Sequence, residues 1–187
     1  MDTSLTRCQW VNQDPDYIAY HDKEWGKPNR DNQHLFEMIC LEGQQAGLSW
    51  YTILKKRQGY RELFYHFDPE RISTMDEADV ERLMQDPRII RHRPKINAII
   101  ANAKAYLNMA ENGEDFATFI WSFVNHQPII NNWTESSQIP AETDLSKDLS
   151  KALKKRGFKF VGSITCYAFM QATGLINDHL VNCCQFK

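Results

Sequence analysis

Apolar residues recur every three or four positions from about residue 31 onward, and this helical periodicity constrains the fold more than any other feature of the sequence. Asp31 can cap a first helix in which Leu35, Met38 and Ile39 share one face. Further apolar stripes begin behind residues suited to a helix N-terminus: Ser49, Asp76 (with Asp79 completing a capping box), Pro94, Asp115 and Asp144. Alternation of polar and apolar residues is scarce, so we predict an all-α fold.

The length of 187 residues suits a single domain. We predict one domain over 1–187, with a helical core at about 31–125 and N- and C-terminal segments, 1–30 and 144–187, outside that core. The polar stretch 126–143 contains two prolines and is predicted to be a loop that joins subdomains. The C-terminal segment is expected to hold three helices, which start near Asp144, Ile164 and Asn177 or Asp178.

Composition excludes several classes of protein. No stretch approaches the ~18 consecutive apolar residues that a membrane span requires. Met1–Ser4 lacks a basic region followed by an apolar run, so we expect no export signal and a cytoplasmic protein. Five unevenly spaced cysteines form a poor disulfide framework. The net charge of −2 argues against an avid, non-specific nucleic-acid binder, so any basic surface must be local.

Cysteines and histidines near the two termini could form a metal site. His179 and Cys183 are four residues apart and would share one face of a helix, whereas Cys184 would lie one step off that face. With Cys8 and His21, which twelve residues separate, they would supply four ligands for a closed tetrahedral zinc site. Spacing alone leaves open the alternative of unconnected residues, because C-x2-C pairs are absent.

Glu42 lies within an apolar helical stripe, between Ile39 and Ala46. A carboxylate there is either paired with a nearby Arg or Lys, turned to solvent, or aimed into a cavity, and the sequence does not decide among these. Aromatic residues crowd its surroundings and belong either to the core or to a pocket: Trp10, Tyr17, Tyr20, Trp25 and Trp50. A carboxylate among several rings indicates a pocket for a flat cation.

The stretch from Leu83 to Ile99 is typical of a helix, a short hairpin and a second helix. Exposed amides at the start of the second helix, together with nearby cations, could hold a DNA phosphate. An ordinary helical hairpin with a solvated basic turn explains the same pattern. If the hairpin holds a phosphate, the cations that would take part are Arg88, Arg91, Arg93 and Lys95.

These residues are also where the chain resembles the 3-methyladenine DNA glycosylase I family, a divergent branch of the helix-hairpin-helix glycosylases. The resemblance covers about residues 7–184, and its most specific run is EGQQAGLSW at 42–50. Other matching segments are RCQW at 7–10, DPDYIAYHDKEWG at 14–26, IIRHR at 89–93, WSFVNH at 121–126, 149–161 and 166–179. Arg88 and Pro94 replace glycines that are frequent in the family's hairpin.

The resemblance implies a helix-hairpin-helix glycosylase-like helical domain in which one structural zinc ion joins the N- and C-terminal segments. The implied zinc ligands are Cys8, His21, His179 and Cys183. The implied base pocket contains Glu42 as the catalytic residue, through base recognition and electrostatic help, with Tyr20, Trp50, Tyr17 and Trp10 around it. The implied DNA contacts are Leu48, near the gap left by a flipped nucleotide, and Arg91, Arg93 and Lys95 in the hairpin.

The implied activity is base-excision repair by a monofunctional glycosylase, which flips 3-methyladenine out of double-stranded DNA and releases it as the free base. We expect a monomer that needs no membrane. Two hypotheses from other classes remain: a non-catalytic, zinc-stabilised module that recognises alkylated DNA, and a helical protein-interaction domain, which the net charge of −2 favours. Release of free 3-methyladenine from methylated DNA distinguishes the first activity from both alternatives.

Overall fold

Helices make up nearly all regular structure in the computed structural model, which describes residues 5–186. Met1–Ser4, where no export signal was found, lie outside the described residues. The helices are α1 (Pro15–Lys23), α2 (Asn32–Gln44), α3 (Trp50–Leu63), α4 (Pro69–Ser73), α5 (Glu77–Leu83), α6 (Arg93–Glu111), α7 (Phe116–Ser122), α8 (Asp144–Lys155) and α9 (Ser163–Ala172). Two strands of two residues each, β1 (Ile129–Ile130) and β2 (Ile176–Asn177), pair in parallel. The predicted all-α class is confirmed.

The predicted capping residues begin the helices as expected. Side chains of Asp31, Ser49 and Asp115 each accept a hydrogen bond from a backbone N–H in the first turn of α2, α3 and α7. Asp76 and Asp79 form the predicted capping box of α5. Each of these bonds satisfies a backbone donor that the helix itself leaves unpaired.

Helix α2 is the central element of the fold. Ten consecutive residues, 35–44, are buried, because α3, α6, α7 and α9 pack around this helix on all sides. A helix that is enclosed on every side cannot turn a polar residue to solvent, so each polar group on it needs a partner or a cavity. Glu37 and Glu42 are therefore the informative residues of α2.

The two termini meet beside this core. The last turn of α9 packs so closely against the N-terminal segment that a Cβ on Gly174 would lie 2.2 Å from the carbonyl carbon of Lys27. Gly174 has a φ of +75°, and the chain then leaves the helix and extends into β2. Glycine is favoured there for both reasons.

Two predictions about the segments outside the core differ from the structure. The last short helix near Asn177 or Asp178 is wrong: Ile176 and Asn177 pair with Ile129 and Ile130, and the described residues that follow form turns. This pairing joins positions 47 residues apart, which local periodicity does not register. Helix α1 was not predicted because its buried positions are mostly aromatic, although Asp14 caps it and Pro15 starts it.

No helix among the described residues is long and apolar enough to cross a membrane.

Candidate active site and metal centre

Four buried ligand groups meet where the N-terminal segment contacts the C-terminal one. The ligand atoms of Cys8, His21, His179 and Cys183 all lie within 4.8 Å of one another. The Sγ of Cys183 lies 3.4 Å from Nε2 of His21 and 3.5 Å from Nδ1 of His179. The Sγ of Cys8 lies 3.6 Å from the same Nδ1. The structure thus brings together the four residues that the sequence placed near opposite ends of the chain.

These separations fit a tetrahedral metal ion. Ligand bonds of about 2.3 Å to sulfur and about 2.0 Å to nitrogen, at tetrahedral angles, put sulfur and nitrogen about 3.5 Å apart. Burial raises the pKa of the Cys8 thiol to about 12 and lowers the pKa of His179 to about 4. The imidazole is therefore in its neutral, ligating form, and a divalent cation would supply the charge that favours a thiolate.

Each histidine is oriented by a hydrogen bond from its other ring nitrogen. Nδ1 of His21 lies 2.7 Å from Oδ1 of Asp22, whose carboxylate also accepts two-pronged bonds from Arg7. Nε2 of His179 lies 2.9 Å from the carbonyl oxygen of Trp25. Such partners fix the tautomer and direct the remaining nitrogen toward the other three ligand groups. His179 lies in an irregular segment and Cys183 in a bend, so neither lies on the predicted helix face.

A cavity of about 430 Å³ opens beside the metal centre. Its lining includes all five residues expected in the base pocket: Trp10, Tyr17, Tyr20, Glu42 and Trp50. The rings of Tyr20 and Trp50 are 5.5 Å apart at 40°, and those of Trp10 and Tyr17 are 5.1 Å apart at 50°. Because neighbouring rings contact each other, they form continuous aromatic walls of the cavity.

Glu42 is the acidic group of this cavity. Only 4 % of its surface is exposed, and no salt bridge joins it to a Lys or Arg among residues 5–186. Burial alone raises the pKa of its carboxyl to about 8. Of the possibilities that the sequence left open, the structure therefore shows a carboxyl that faces a cavity. The indole N–H of Trp50 is also buried and has no described hydrogen-bond partner.

The residues predicted to contact DNA differ in how they are placed. Leu48 is 39 % exposed and lies with Glu42 and Gln45 on a cleft beside the cavity. Arg91 is exposed in the hairpin before α6. Arg93 forms short ion pairs with two glutamates of α5, Glu77 and Glu81.

Lys95 is buried at the start of α6. Its ammonium donates to the carbonyl oxygens of Gln44, at 2.8 Å, and Ala46, at 2.7 Å, at the C-terminal end of α2. This leaves one of its three N–H donors for a phosphate. The position of Lys95 thus differs from that of a surface phosphate ligand, and its contacts hold the turn that carries Leu48.

Comparison with known proteins decides the family. The family described as methyladenine glycosylase matches residues 10–186. The chain is 65 % identical over 180 residues to DNA-3-methyladenine glycosylase 1 of Escherichia coli K12, covering 96 % of each protein. It belongs to the methyladenine glycosylase family. The predicted family is confirmed.

Solved structures agree with this membership. A crystal structure of 3-methyladenine DNA glycosylase I superposes with a TM-score of 0.96 at 62 % identity, covering 97 % of this chain and 100 % of that one. A variant of a second such glycosylase, crystallised in complex with 3-methyladenine, gives a TM-score of 0.93 at 41 % identity, covering 97 % of each chain. The predicted glycosylase-like fold is confirmed as well.

In this methyladenine glycosylase, about half of the residues that line the cavity were not predicted from the sequence. The rest of the lining is formed by α9 and by the segment that was predicted to be only a loop. The α9 residues are Ile164, Tyr167, Ala168 and Gln171, and the loop residues are Ser136, Ile139, Pro140 and Ala141. The α9 set has the spacing i, i+3, i+4, i+7, and two polar side chains one turn apart on a mostly apolar helix, Tyr167 and Gln171, were the available signal.

Proposed function

We propose that the chain is a monofunctional DNA glycosylase that hydrolyses the N-glycosidic bond of 3-methyladenine in alkylated double-stranded DNA. The observation that carries the proposal is Glu42, a buried carboxyl without a cationic partner that faces a ring-lined cavity. Such a site favours a flat, positively charged ligand. A methylated adenine that is flipped out of the duplex has these properties.

The cavity supplies recognition where the lesion itself supplies reactivity. Methylation at N3 makes the adenine cationic and weakens its bond to deoxyribose, and the base then leaves as a neutral molecule. Glu42 accepts hydrogen bonds from the adenine edge and stabilises positive charge, while the Tyr20–Trp50 wall contacts the face of the purine. Each favourable cation–ring contact contributes on the order of 1–2 kcal/mol.

The lining of the cavity supports a monofunctional reaction. A lyase activity needs an amine that forms a Schiff base, and the described cavity residues include no lysine. Leu48 lies at the cleft beside the cavity and would fill the gap that the flipped nucleotide leaves, and Arg91 in the exposed hairpin would contact the DNA backbone.

The test is the release of free base. Purified protein is incubated with DNA methylated by a methylating agent, and the soluble products are separated by chromatography. We expect 3-methyladenine in the soluble fraction. Binding to methylated DNA without release would instead favour the non-catalytic recognition module, and a complete lack of salt-dependent DNA binding would favour the protein-interaction domain.

We further propose that the metal is one structural zinc ion per chain, held by Cys8, His21, His179 and Cys183. A closed set of two thiolates and two imidazoles is typical of structural zinc and provides no open position for a substrate. The zinc would join the two terminal segments and so support the single domain over 1–187. Elemental analysis should give about one zinc per chain, and Cys183→Ala should lose both metal and thermal stability; metal-free, equally stable wild-type protein would contradict the site.

We propose that the protein acts as a monomer, because a single chain supplies Glu42 and all four rings expected around the base, so that the site needs no residue from a second copy. Its DNA substrate and its five cysteines, none of which forms a disulfide, are consistent with work in the cytoplasm. Sedimentation at working concentration should give the mass of one chain, 21.9 kDa.

A further inference from the structure

The wall of the cavity that α9 forms is anchored to one buried carboxylate. On that wall, α9 presents Tyr167 and Gln171 one turn apart. The hydroxyl of Tyr167 donates to Oδ2 of Asp178 at 2.5 Å, and the amide of Gln171 donates to the same oxygen at 2.9 Å. Asp178 itself does not line the cavity, so it acts on the cavity only through these two side chains.

The second oxygen of Asp178 holds the segment that follows β1. Oδ1 accepts hydrogen bonds from the amide of Asn131 and from the indole of Trp133, both at 2.8 Å. These residues begin the segment whose later part, Ile139–Ala141, closes the cavity. One carboxylate therefore sets the relative position of both elements that form this wall.

The burial of Asp178 carries a free-energy cost. The residue is fully buried, and four neutral donors surround it in place of a cation. Burying a carboxylate without a cation costs several kcal/mol unless hydrogen bonds compensate. Asp178 also directly precedes His179, so the anchored wall and the metal cluster share one stretch of backbone.

We propose that Asp178 is a positioning residue of the base cavity, which holds Tyr167 and Gln171 in the orientation that the bound base requires. The inference rests on the proposed function and deepens it. Because Tyr167 donates its proton to a carboxylate, the electron density of its ring increases, and a ring of this kind attracts a cationic purine more strongly. Asp178 thus contributes to base affinity without contacting the base.

A merely structural role for Asp178 and a positioning role predict different effects of its substitution on the binding of 3-methyladenine. Loss of packing lowers the fraction of folded protein, which lowers the amplitude of a binding signal but leaves the Kd of the folded molecules unchanged. Loss of positioning weakens the Kd itself. The affinity for free 3-methyladenine, followed by quenching of the tryptophans that line the cavity, therefore separates the two roles.

The principal variant is Asp178→Asn, which keeps the size of the side chain. The new amide can donate to Tyr167, so the phenol becomes an acceptor and its own proton turns elsewhere. We expect the Kd for 3-methyladenine to weaken about tenfold in protein with a normal metal content. Glu37→Gln is the matched control, since it makes the same carboxyl-to-amide change at a buried site away from the cavity and should leave the Kd within twofold.

Tyr167→Phe provides a second, independent test, because it removes one hydroxyl and touches no metal ligand. We expect a several-fold weaker Kd, and the double variant should bind no more weakly than Asp178→Asn alone, since both changes break the same link. Tyr167→Phe decides the case in which Asp178→Asn loses metal or fails to fold. A Kd within twofold of wild type in folded Tyr167→Phe, or in metal-loaded Asp178→Asn, would overturn the proposal, whereas wild-type protein that releases no base would contradict the proposed function instead.

Discussion

Two glutamates on α2 are almost equally buried, yet they have opposite surroundings. Glu37 is 7 % exposed and accepts hydrogen bonds from the guanidinium groups of Arg57 and Arg61 on α3, each at 2.8 Å. Glu42 is 4 % exposed, has no such partner among the described residues and faces the cavity. Burial alone therefore does not distinguish these two carboxyl groups, whereas the presence of a cationic partner does.

The difference has an energetic meaning. At Glu37 the two guanidinium groups compensate the carboxylate for its loss of water. At Glu42 nothing compensates it, and the pKa of the carboxyl rises to about 8. The fold thus keeps one carboxyl in a state that a cationic ligand would stabilise. A buried carboxyl without a cationic partner lowers the stability of the fold, and such groups are expected at binding sites.

The largest expected effect comes from Glu42→Gln. The variant keeps the shape of the side chain but loses the negative charge, so the release of 3-methyladenine should fall about 100-fold, or roughly 3 kcal/mol. Its thermal stability should equal or exceed that of wild type, because an uncompensated buried carboxyl is removed. Release rates and calorimetric melting are measured on the same preparation. Full activity would show that the cavity carboxyl is not part of the reaction.

Glu37→Gln should show the reverse pattern. It leaves two guanidinium groups partly unpaired, and Arg57 keeps its bond to Glu24, so we expect a loss of about 2 kcal/mol in the free energy of unfolding. The activity of the folded protein should stay within twofold of wild type. Urea denaturation gives the stability, and an activity loss comparable to that of Glu42→Gln would break the distinction between the two sites.

The sequence predicts the existence of α2 well but not the difference between these two residues. The cap at Asp31 and the apolar spacing are local signals, and both were confirmed. The partners of Glu37 lie 20 and 24 residues further along the chain, on the next helix. Only the packing of α3 against α2 determines which carboxyl receives a cation, so the alternatives for Glu42 stayed open.

The metal-ligating residues and the α9 wall of the cavity also depend on contacts that the sequence pattern does not show. Four metal-ligating residues could be chosen from their types, but their meeting depends on contacts between chain ends, and the helix expected around His179 and Cys183 does not form. The α9 wall was missed because Tyr167 and Gln171 look like ordinary helix residues until Asp178 is seen to anchor them. Contacts between separate elements of the fold, which the periodicity of a single helix does not contain, account for these errors.

A smaller effect is expected in the pH dependence of stability and activity that Glu42 introduces. The pKa of Glu42 is about 8 in the folded protein and 4.5 ordinarily, so the folded state keeps a proton that the unfolded chain releases between these values. The free energy of unfolding should therefore decrease as pH rises from 4.5 to 8 through this group. In the proposed role of Glu42 the ionised carboxyl binds the cationic base, so kcat/KM should rise about tenfold between pH 7 and pH 9.

Glu42→Gln is the control for this profile, because it cannot titrate at that position. Its unfolding free energy should lack the decrease, and its residual kcat/KM should be flat over the same range. Both profiles are obtained at constant ionic strength, so that weaker DNA binding does not imitate the effect. A wild-type profile that is equally flat would contradict a raised pKa at Glu42.

The smallest expected effect is that of Arg57→Lys. Arg57 contacts two carboxylates at once, Nε at 2.8 Å from Glu37 and Nη1 at 2.8 Å from Glu24. An ammonium keeps the charge but not the planar fork, while Glu37 retains Arg61. We expect a loss of about 1 kcal/mol, seen as a lower urea midpoint at an unchanged m-value. The Kd for 3-methyladenine should not change; if it weakened as in Glu42→Gln, the two ends of α2 would be coupled, and the contrast between a structural and a functional carboxyl would fail.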